Sequence, residues 1–533
     1  MKTLSLAAAG ALACALATCA SASVHHEHEH RNHKPQQLKH VFHVHARKSL
    51  FDQAMQLVAK EAGVALDVWS VRSVSSDGEK DPLVDAKVYA TSASMKALHG
   101  SVGGSTSEWT TLAKSSSKSH AKIRISKHKH GRDGPAAEDS DDWTAEDDKA
   151  EAEEAGRIDK DREAVAACLN KTTGFLDELK QQQTRNASSQ YTDSGFFDCF
   201  RPHDQVFAFF DALTGQNSGL VTKFPNISTT FEGRAISAYR LSTTTLSTLQ
   251  QNKAPKKALY IQALIHAREW QAGASTFYTV AKLVDELRRG SQQIKAIFDE
   301  FDWYFVPIVN IDGYIYSATV DRYWRTNRDL KDAKGNAIAG VDLNRNFGPE
   351  EYFNVKPELV DNETNPGVKP LSEPSTAGIV KFLTSLDNLS GIVDMHGFGG
   401  EVLRPFSNHE GEAPAPFGPQ MKKLGDGVAQ AISKYASKPY LSKTGAFLYE
   451  AYGCFDDGMY LQFNYTVPAI TIEVEGDDFI APQSSIRPVG THIYYGLLRF
   501  AQEASSYQKM VESLDESDDD ESGDADSESE DRA

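Results

Sequence analysis

His266 and Glu269 stand three residues apart at the close of the run Lys257-Ala-Leu-Tyr-Ile-Gln-Ala-Leu-Ile-His-Ala-Arg-Glu-Trp270. Imidazole nitrogen and carboxylate oxygen form a borderline-soft donor pair suited to Zn2+. The apolar stretch 259–265, broken only by Gln262, has strand length, and the residues after Trp270 turn to a helical period through Ala274, Phe277, Val280, Ala281 and Val284. The pair therefore falls at a strand-to-helix edge, where side chains three apart can converge on one ion. The same spacing recurs at His26/Glu29 and His409/Glu412, but in a polar His-rich tract and a Gly/Pro-rich loop, with no buried strand behind either.

A catalytic zinc needs a third protein ligand and an open position. His396 is the best candidate, because it ends the apolar run Gly391-Ile-Val-Asp-Met-His396 and precedes Gly397, Gly399 and Gly400. Taken alone it could equally be a hydrogen-bonded core histidine. Glu473 sits in Ile470-Thr-Ile-Glu-Val-Glu475, a strand otherwise apolar around it. A buried acid needs a partner or a task, and beside a zinc-bound water that task is general base. Tyr323-Trp-Arg-Thr-Asn-Arg328 and Gly340-Val-Asp-Leu-Asn-Arg-Asn-Phe347 supply arginines. Their forks can hold a carboxylate or stabilise an oxyanion, surface ion pairing being the alternative.

Holding such groups requires a rigid frame. Strand patterns at 235–241, 259–265, 303–309, 392–396 and 470–474 alternate with helical patterns at 271–287, 376–386, 421–435 and 492–503. That alternation implies a layered α/β domain with a largely buried sheet and catalytic groups at strand ends. Upstream, strands near 41–44, 64–71, 83–90 and 109–113 with helices at 50–58 and 92–98 give the order β-α-β-β-α-β, a small ferredoxin-like unit.

The chain resembles the zinc metallocarboxypeptidases of the carboxypeptidase A/B family. His-Ala-Arg-Glu-Trp matches the zinc motif, so the resemblance implies one Zn2+ held by His266, Glu269 and His396, with Arg268 contacting substrate. It further implies Arg325 as the oxyanion-stabilising arginine, Asn344 and Arg345 as the grip on the substrate's terminal carboxylate, Tyr449 as a mobile tyrosine over the substrate, and Glu473 as the base. Asp456 falls at the base of the specificity pocket, with Ser407 and Thr471 also at pocket positions. Family members with aspartate there remove Lys and Arg. The implied fold is an α/β/α layered catalytic domain with a mixed sheet, preceded by an α+β activation domain that covers the cleft until an activating protease cuts the linker. Gly397 and Phe398 depart from the usual serine and tyrosine, and the cysteine pair that vertebrate members carry near the carboxylate-binding arginine is missing.

The expected organisation is a signal peptide at 1–22, a His-rich spacer at 23–38, the activation domain at 39–113, a disordered charged linker at 114–187, the catalytic domain at 188–510 and an acidic disordered tail at 511–533. The first segment pairs Met1-Lys2 with an apolar run and Ala20-Ser21-Ala22, a secretory pattern. Export also suits the Asn-x-Ser/Thr sites at Asn170, Asn186, Asn226, Asn362, Asn388 and Asn464. Without the signal, Cys168, Cys199 and Cys454 remain, an odd count that permits one disulfide, most simply Cys168 to Cys199. Of the net charge of −18, the tail from Val511 onward carries 12 acidic residues against Arg532 alone. No basic, aromatic-interleaved patch suits nucleic acid, and no later apolar run is long enough for a membrane span. The partners expected are peptides or proteins with a free C-terminus. A non-catalytic peptide binder and a zinc-sequestering protein built on the eight histidines of 25–45 are the rival readings.

Overall fold

The computed structural model describes residues 39–48, 51, 67–73, 83–91, 124–127, 145–184, 190–244, 256–332, 334–350, 353 and 363–523. The amino-terminal part contains a four-stranded antiparallel sheet of β1 (Lys39–Arg47), β2 (Asp67–Ser73), β3 (Leu83–Thr91) and β4 (Arg124–Lys127), in the order β2-β3-β1-β4. Three of these answer to expected strands. The expected strand at 109–113 and helix at 92–98 lie outside the described residues, as does most of the helix at 50–58. The signal and His-rich segments lie outside them too.

The linker expected at 114–187 is structured where it is described, while 114–123, 128–144 and 185–187 lie outside the described residues. It contains β4, which pairs with β1, and helices α1 (Ala145–Lys171) and α2 (Phe175–Thr184). On α1, among the residues whose side chains are described, Val165 packs against the main core and Ile158 against a smaller apolar cluster. On α2, Phe175 and Leu179 share one face at i, i+4 spacing and are both buried in the main core. Composition averaged over a long charged stretch hides so narrow a face. Cys168 and Cys199 are disulfide-bonded, joining α1 to the segment before α3 (His203–Gln216), and Cys454 is a buried free thiol.

The main body is built on an eight-stranded mixed sheet. Its strands are β5 (Val221–Thr229), β6 (Ala235–Leu241), β7 (Lys257–Ala263), β8 (Phe301–Val306), β9 (Leu389–Gly397), β10 (Glu401–Arg404), β11 (Leu441–Thr444) and β12 (Ala469–Val474). They lie in the order β11-β10-β12-β9-β7-β8-β6-β5. At its centre β12, β9, β7 and β8 run parallel. Strands buried on both faces need no polar alternation, which is why β7 and β9 read as continuous apolar runs.

The helices of the body are α3, α4 (Trp270–Arg288), α5 (Gln292–Glu300), α6 (Ile311–Thr319), α7 (Pro374–Thr384), α8 (Phe417–Ser433), α9 (Phe455–Gln462) and α10 (Ile486–Gly523). Successive β7 residues point to opposite faces. Leu259 meets Gly391 near Phe500 of α10, whereas the Tyr260 ring lies 6.2 Å from Phe455 of α9. Helices thus cover both faces, as a layered α/β domain requires. Of the acidic tail expected to be disordered, residues 511–523 belong to α10, while 524–533 lie outside the described residues. A run of Glu and Asp is compatible with a solvated helix as well as with disorder, and composition does not separate them. No helix among the described residues is long and apolar enough to cross a membrane.

Candidate active site

Adjacent parallel strands deliver the reactive groups to one edge of the sheet. β7 ends at Ala263, and the turn to α4 carries His266 and Glu269. Leu264 has φ +57°, a strained conformation for a branched residue that neighbouring contacts maintain. Those contacts include Asn310 N donating to Leu264 O at 3.0 Å, Asn310 Nδ2 to Ile265 O at 3.2 Å and Ala267 N to Arg325 O at 3.0 Å. β9 ends with His396 and Gly397, and β12 sets Glu473 in register with His396.

His266, Glu269 and His396 are all buried, and one donor atom from each lies within 4.8 Å of the others. The facing atoms are well defined. His266 Nδ1 is 2.8 Å from Glu269 Oε1 and 3.1 Å from His396 Nδ1, which is itself 3.1 Å from Glu269 Oε2. Each far nitrogen has a carboxylate behind it: His266 Nε2 lies 3.2 Å from Asp342 Oδ1, and His396 Nε2 lies 2.9 Å from Asp394 Oδ2. Such backing orients an imidazole and raises its basicity toward a metal. Burial would raise the Glu269 carboxyl, but the two histidines beside it hold it well below the ordinary range. His396 is pushed well above its ordinary value, because Asp394 and Glu269 outweigh burial. Two imidazoles and a carboxylate converging in a buried, acid-rich cluster fit a zinc ion.

Asp342 ties several groups together. Its Oδ2 accepts from Arg325 Nε at 3.0 Å and from an Arg325 terminal nitrogen at 2.8 Å, and its Oδ1 accepts from Asn344 N at 2.9 Å. Burial opposes its charge, but Arg325 and His266 hold the carboxyl well below the usual range. The other terminal nitrogen of Arg325 lies 3.4 Å from His266 Nδ1, so the guanidinium flanks the cluster of His266, Glu269 and His396. Arg345 donates to Tyr449 Oη at 2.9 Å and to Asn344 O at 2.7 Å, while Asn344 Oδ1 accepts from Phe455 N at 2.8 Å. Gly453, at φ +70°, permits the loop before α9 to pass Arg345, where an added Cβ would lie 2.0 Å from the Arg345 carbonyl oxygen.

Glu473 is partly buried. Burial raises its carboxyl to about 8; Glu269 and Glu401, the latter opposite it on β10, add to the rise, while His396 and Arg325 oppose it. Asp456 opens α9 and is 3% exposed; burial, with Asp394 adding, pushes its carboxyl up to about 6. Arg268 is buried, its guanidinium 4.3 Å from the centre of the Phe479 ring.

All ten residues expected in the site line one cleft: His266, Arg268, Glu269, Arg325, Asn344, Arg345, His396, Tyr449, Asp456 and Glu473. Ser407 and Thr471 line it as well. His409 and Glu412 do not join them, Glu412 pairing instead with Arg404 at 3.1 Å. Sequence reasoning missed Asp342 and Asp394. An acid two residues before His396 on the same face of a strand was the available signal for Asp394, and Asp342 was visible only as an acid inside the Asn344-Arg345 stretch.

Comparison with known proteins places these observations in a family. The chain is 28% identical over 331 residues to mouse carboxypeptidase A1, covering 61% of this chain and 75% of that one. It is 29% identical over 278 residues to the inactive metallocarboxypeptidase ecm14 of Talaromyces marneffei, covering 51% of this chain and 46% of that relative. The crystal structure of carboxypeptidase A from Helicoverpa armigera superposes with a TM-score of 0.64 at 22% identity, over 90% of this chain and all of the other. Bovine thrombin-activatable fibrinolysis inhibitor, solved with a tick carboxypeptidase inhibitor, gives 0.51 at 23% identity, over 58% of this chain and 99% of the other. These two likenesses concern the fold. The family model for zinc carboxypeptidase matches residues 206–496, more than half of the 533, and the chain belongs to that family.

Proposed function

We propose that this protein is a secreted zinc carboxypeptidase, made as a latent chain, that removes the C-terminal residue of peptides and proteins and favours Lys or Arg. The observation that carries the reading is the gathering of the His266, Glu269 and His396 donors with Glu473, Arg325 and Arg345 in one cleft. Zinc, when bound by those donors, supplies a Lewis acid and eases the deprotonation of water. Glu473 takes the proton of the attacking water and hands it to the leaving amine. Arg325, fixed by Asp342, donates to the carbonyl oxygen as it gains charge. Asn344 and Arg345 hold the terminal carboxylate, so that only the last bond reaches Glu473. Tyr449, whose hydroxyl accepts from Arg345, gives up that hydrogen bond to the substrate and closes over it.

Selectivity follows from Asp456. A buried carboxylate in the cleft with Ser407 and Thr471 is relieved by a substrate cation, a pairing worth about 2–5 kcal/mol of discrimination. Latency is supported by Lys48, next to β1, whose ammonium lies 5.7 Å from the ring centre of Phe447, the neighbour of cleft-lining Leu448. Export is supported by the amino-terminal pattern and by a disulfide, which persists in oxidising compartments.

A second reading, an inactive peptide-binding relative, has a precedent in the name of the Talaromyces protein. One experiment separates the two. The cut chain is assayed, with and without a chelator, on peptides that differ only in a final Lys, Arg, Leu or Phe, alongside Asp456→Ile. Chelator-sensitive release of Lys or Arg, lost in the variant, is the expected result. Binding without turnover supports the inactive reading, and a preference for Phe or Leu removes Asp456 from specificity.

A further inference from the structure

Helix α1 takes no part in the chemistry above, yet it stands against the cleft wall. Ile158 packs on the cluster of Tyr323, Phe398 and Phe479. Arg157 donates to the Tyr323 hydroxyl and, at 2.8 Å, to Asp478 Oδ2. Asp161 Oδ2 lies 3.4 Å from Nε of the buried Arg322. Arg322 in turn donates to Phe479 O at 2.6 Å and to Arg268 O at 2.9 Å. Phe479 and Arg268, stacked on each other, both line the cleft. Two consecutive links, Asp161 to Arg322 and Arg322 to Arg268 and Phe479, therefore run from α1 to the wall that faces substrate.

The same helix is covalently locked. Cys168, near its end, is bonded to Cys199, across 31 residues of chain. A cut between these cysteines divides the backbone but leaves α1, and everything before it, attached through sulfur. A cut before Arg157 leaves the stretch from Arg157 to Cys168 attached through the backbone. With either cut that stretch stays, and the amino-terminal sheet is released only by a cut on the amino-terminal side of Cys168.

We propose that α1 is a permanent wall of the mature enzyme, and that Arg157, Ile158 and Asp161 are positioning residues for Arg268 and Phe479. The kinetic half of this proposal rests on the peptidase reading; the covalent half does not. With zinc, the carboxylate grip and the Asp456 pocket assigned, Arg268 and Phe479 remain to meet the peptide on the amino side of the scissile bond. Their position should therefore matter for long substrates and little for short ones.

Two measurements test it on the full chain. Peptide mapping of the protease-resistant core under non-reducing conditions should recover the Arg157-to-Cys168 stretch in equal amount with residues 200–510. A stable core without it overturns the proposal. Arg157→Ala and Ile158→Ala, assayed after cutting, should raise KM for peptides of four or more residues roughly fivefold with kcat within about twofold, and change KM for an N-acyl amino acid far less. Equal effects on both substrates, a loss confined to kcat, or no effect overturns the positioning role. A wild-type chain inactive after every cut counts against the proposed function instead, and the mapping still decides the tether.

Discussion

Asp394 and Asp342 each stand behind an imidazole of the proposed zinc site, and neither is free to leave without consequence. Asp394→Asn keeps the shape but removes the charge 2.9 Å from His396 Nε2. Loss of such backing typically costs about 10–100-fold in metal affinity. The expected outcome is a weaker zinc complex of that order, read by competition with a chromogenic chelator. Glu473→Gln should behave oppositely, because the three donors remain and only the base is gone. Zinc and peptide affinity should persist while kcat falls by about 100-fold or more, measured by calorimetry and steady-state kinetics side by side. Near-normal turnover in that variant would exclude Glu473 as the base. His266 and His396 were legible because each closes an apolar run, Glu269 by its spacing from His266, and Glu473 as an acid inside a strand that is otherwise apolar around it. Asp342 and Asp394 were not, since an acid that touches a ligand from behind leaves no spacing of its own in the chain.

At the scale of elements, the strands of the active edge were readable and the amino-terminal helices were not. β7, β9 and β12 are buried on both faces and read as apolar runs, so their existence followed from hydrophobicity alone. Among the side chains described, α1 and α2 meet the body through a minority, and the average composition of the two helices is that of a linker. Burial of those few is still structural. Leu179 of α2 is fully buried in the main core. Leu179→Ala should cost about 2–5 kcal/mol, seen as a lower denaturant midpoint with an unchanged slope. A change under 0.5 kcal/mol would mean that α2 is not part of the cooperative unit.

For the whole molecule, the consequential prediction is latency. The intact chain should be nearly inactive on peptides and gain activity on a cut before α1, whereas a cut between Cys168 and Cys199 should activate only after reduction. Full activity of the verified uncut chain would remove latency from the proposal; the comparison is a time course of peptidase activity against reducing and non-reducing gels. By itself the amino-acid sequence determined the layered α/β class, and it singled out His266, Glu269, His396, Glu473 and two arginine-bearing stretches as candidates, because these depend on local periodicity and on residue chemistry that an apolar strand must explain; their roles were implied by the family resemblance. It also permitted one disulfide among three cysteines, and the structure forms the simplest pairing, Cys168 to Cys199. The tertiary structure decided what depends on neighbours distant in the chain. Strand order β12-β9-β7 sets Glu473, His396 and the His266–Glu269 turn side by side. Asp342 reaches His266 across 76 residues. Helix α1 reaches Asp478 across 321 residues. Contacts of that range are chosen by packing, and no local pattern records them.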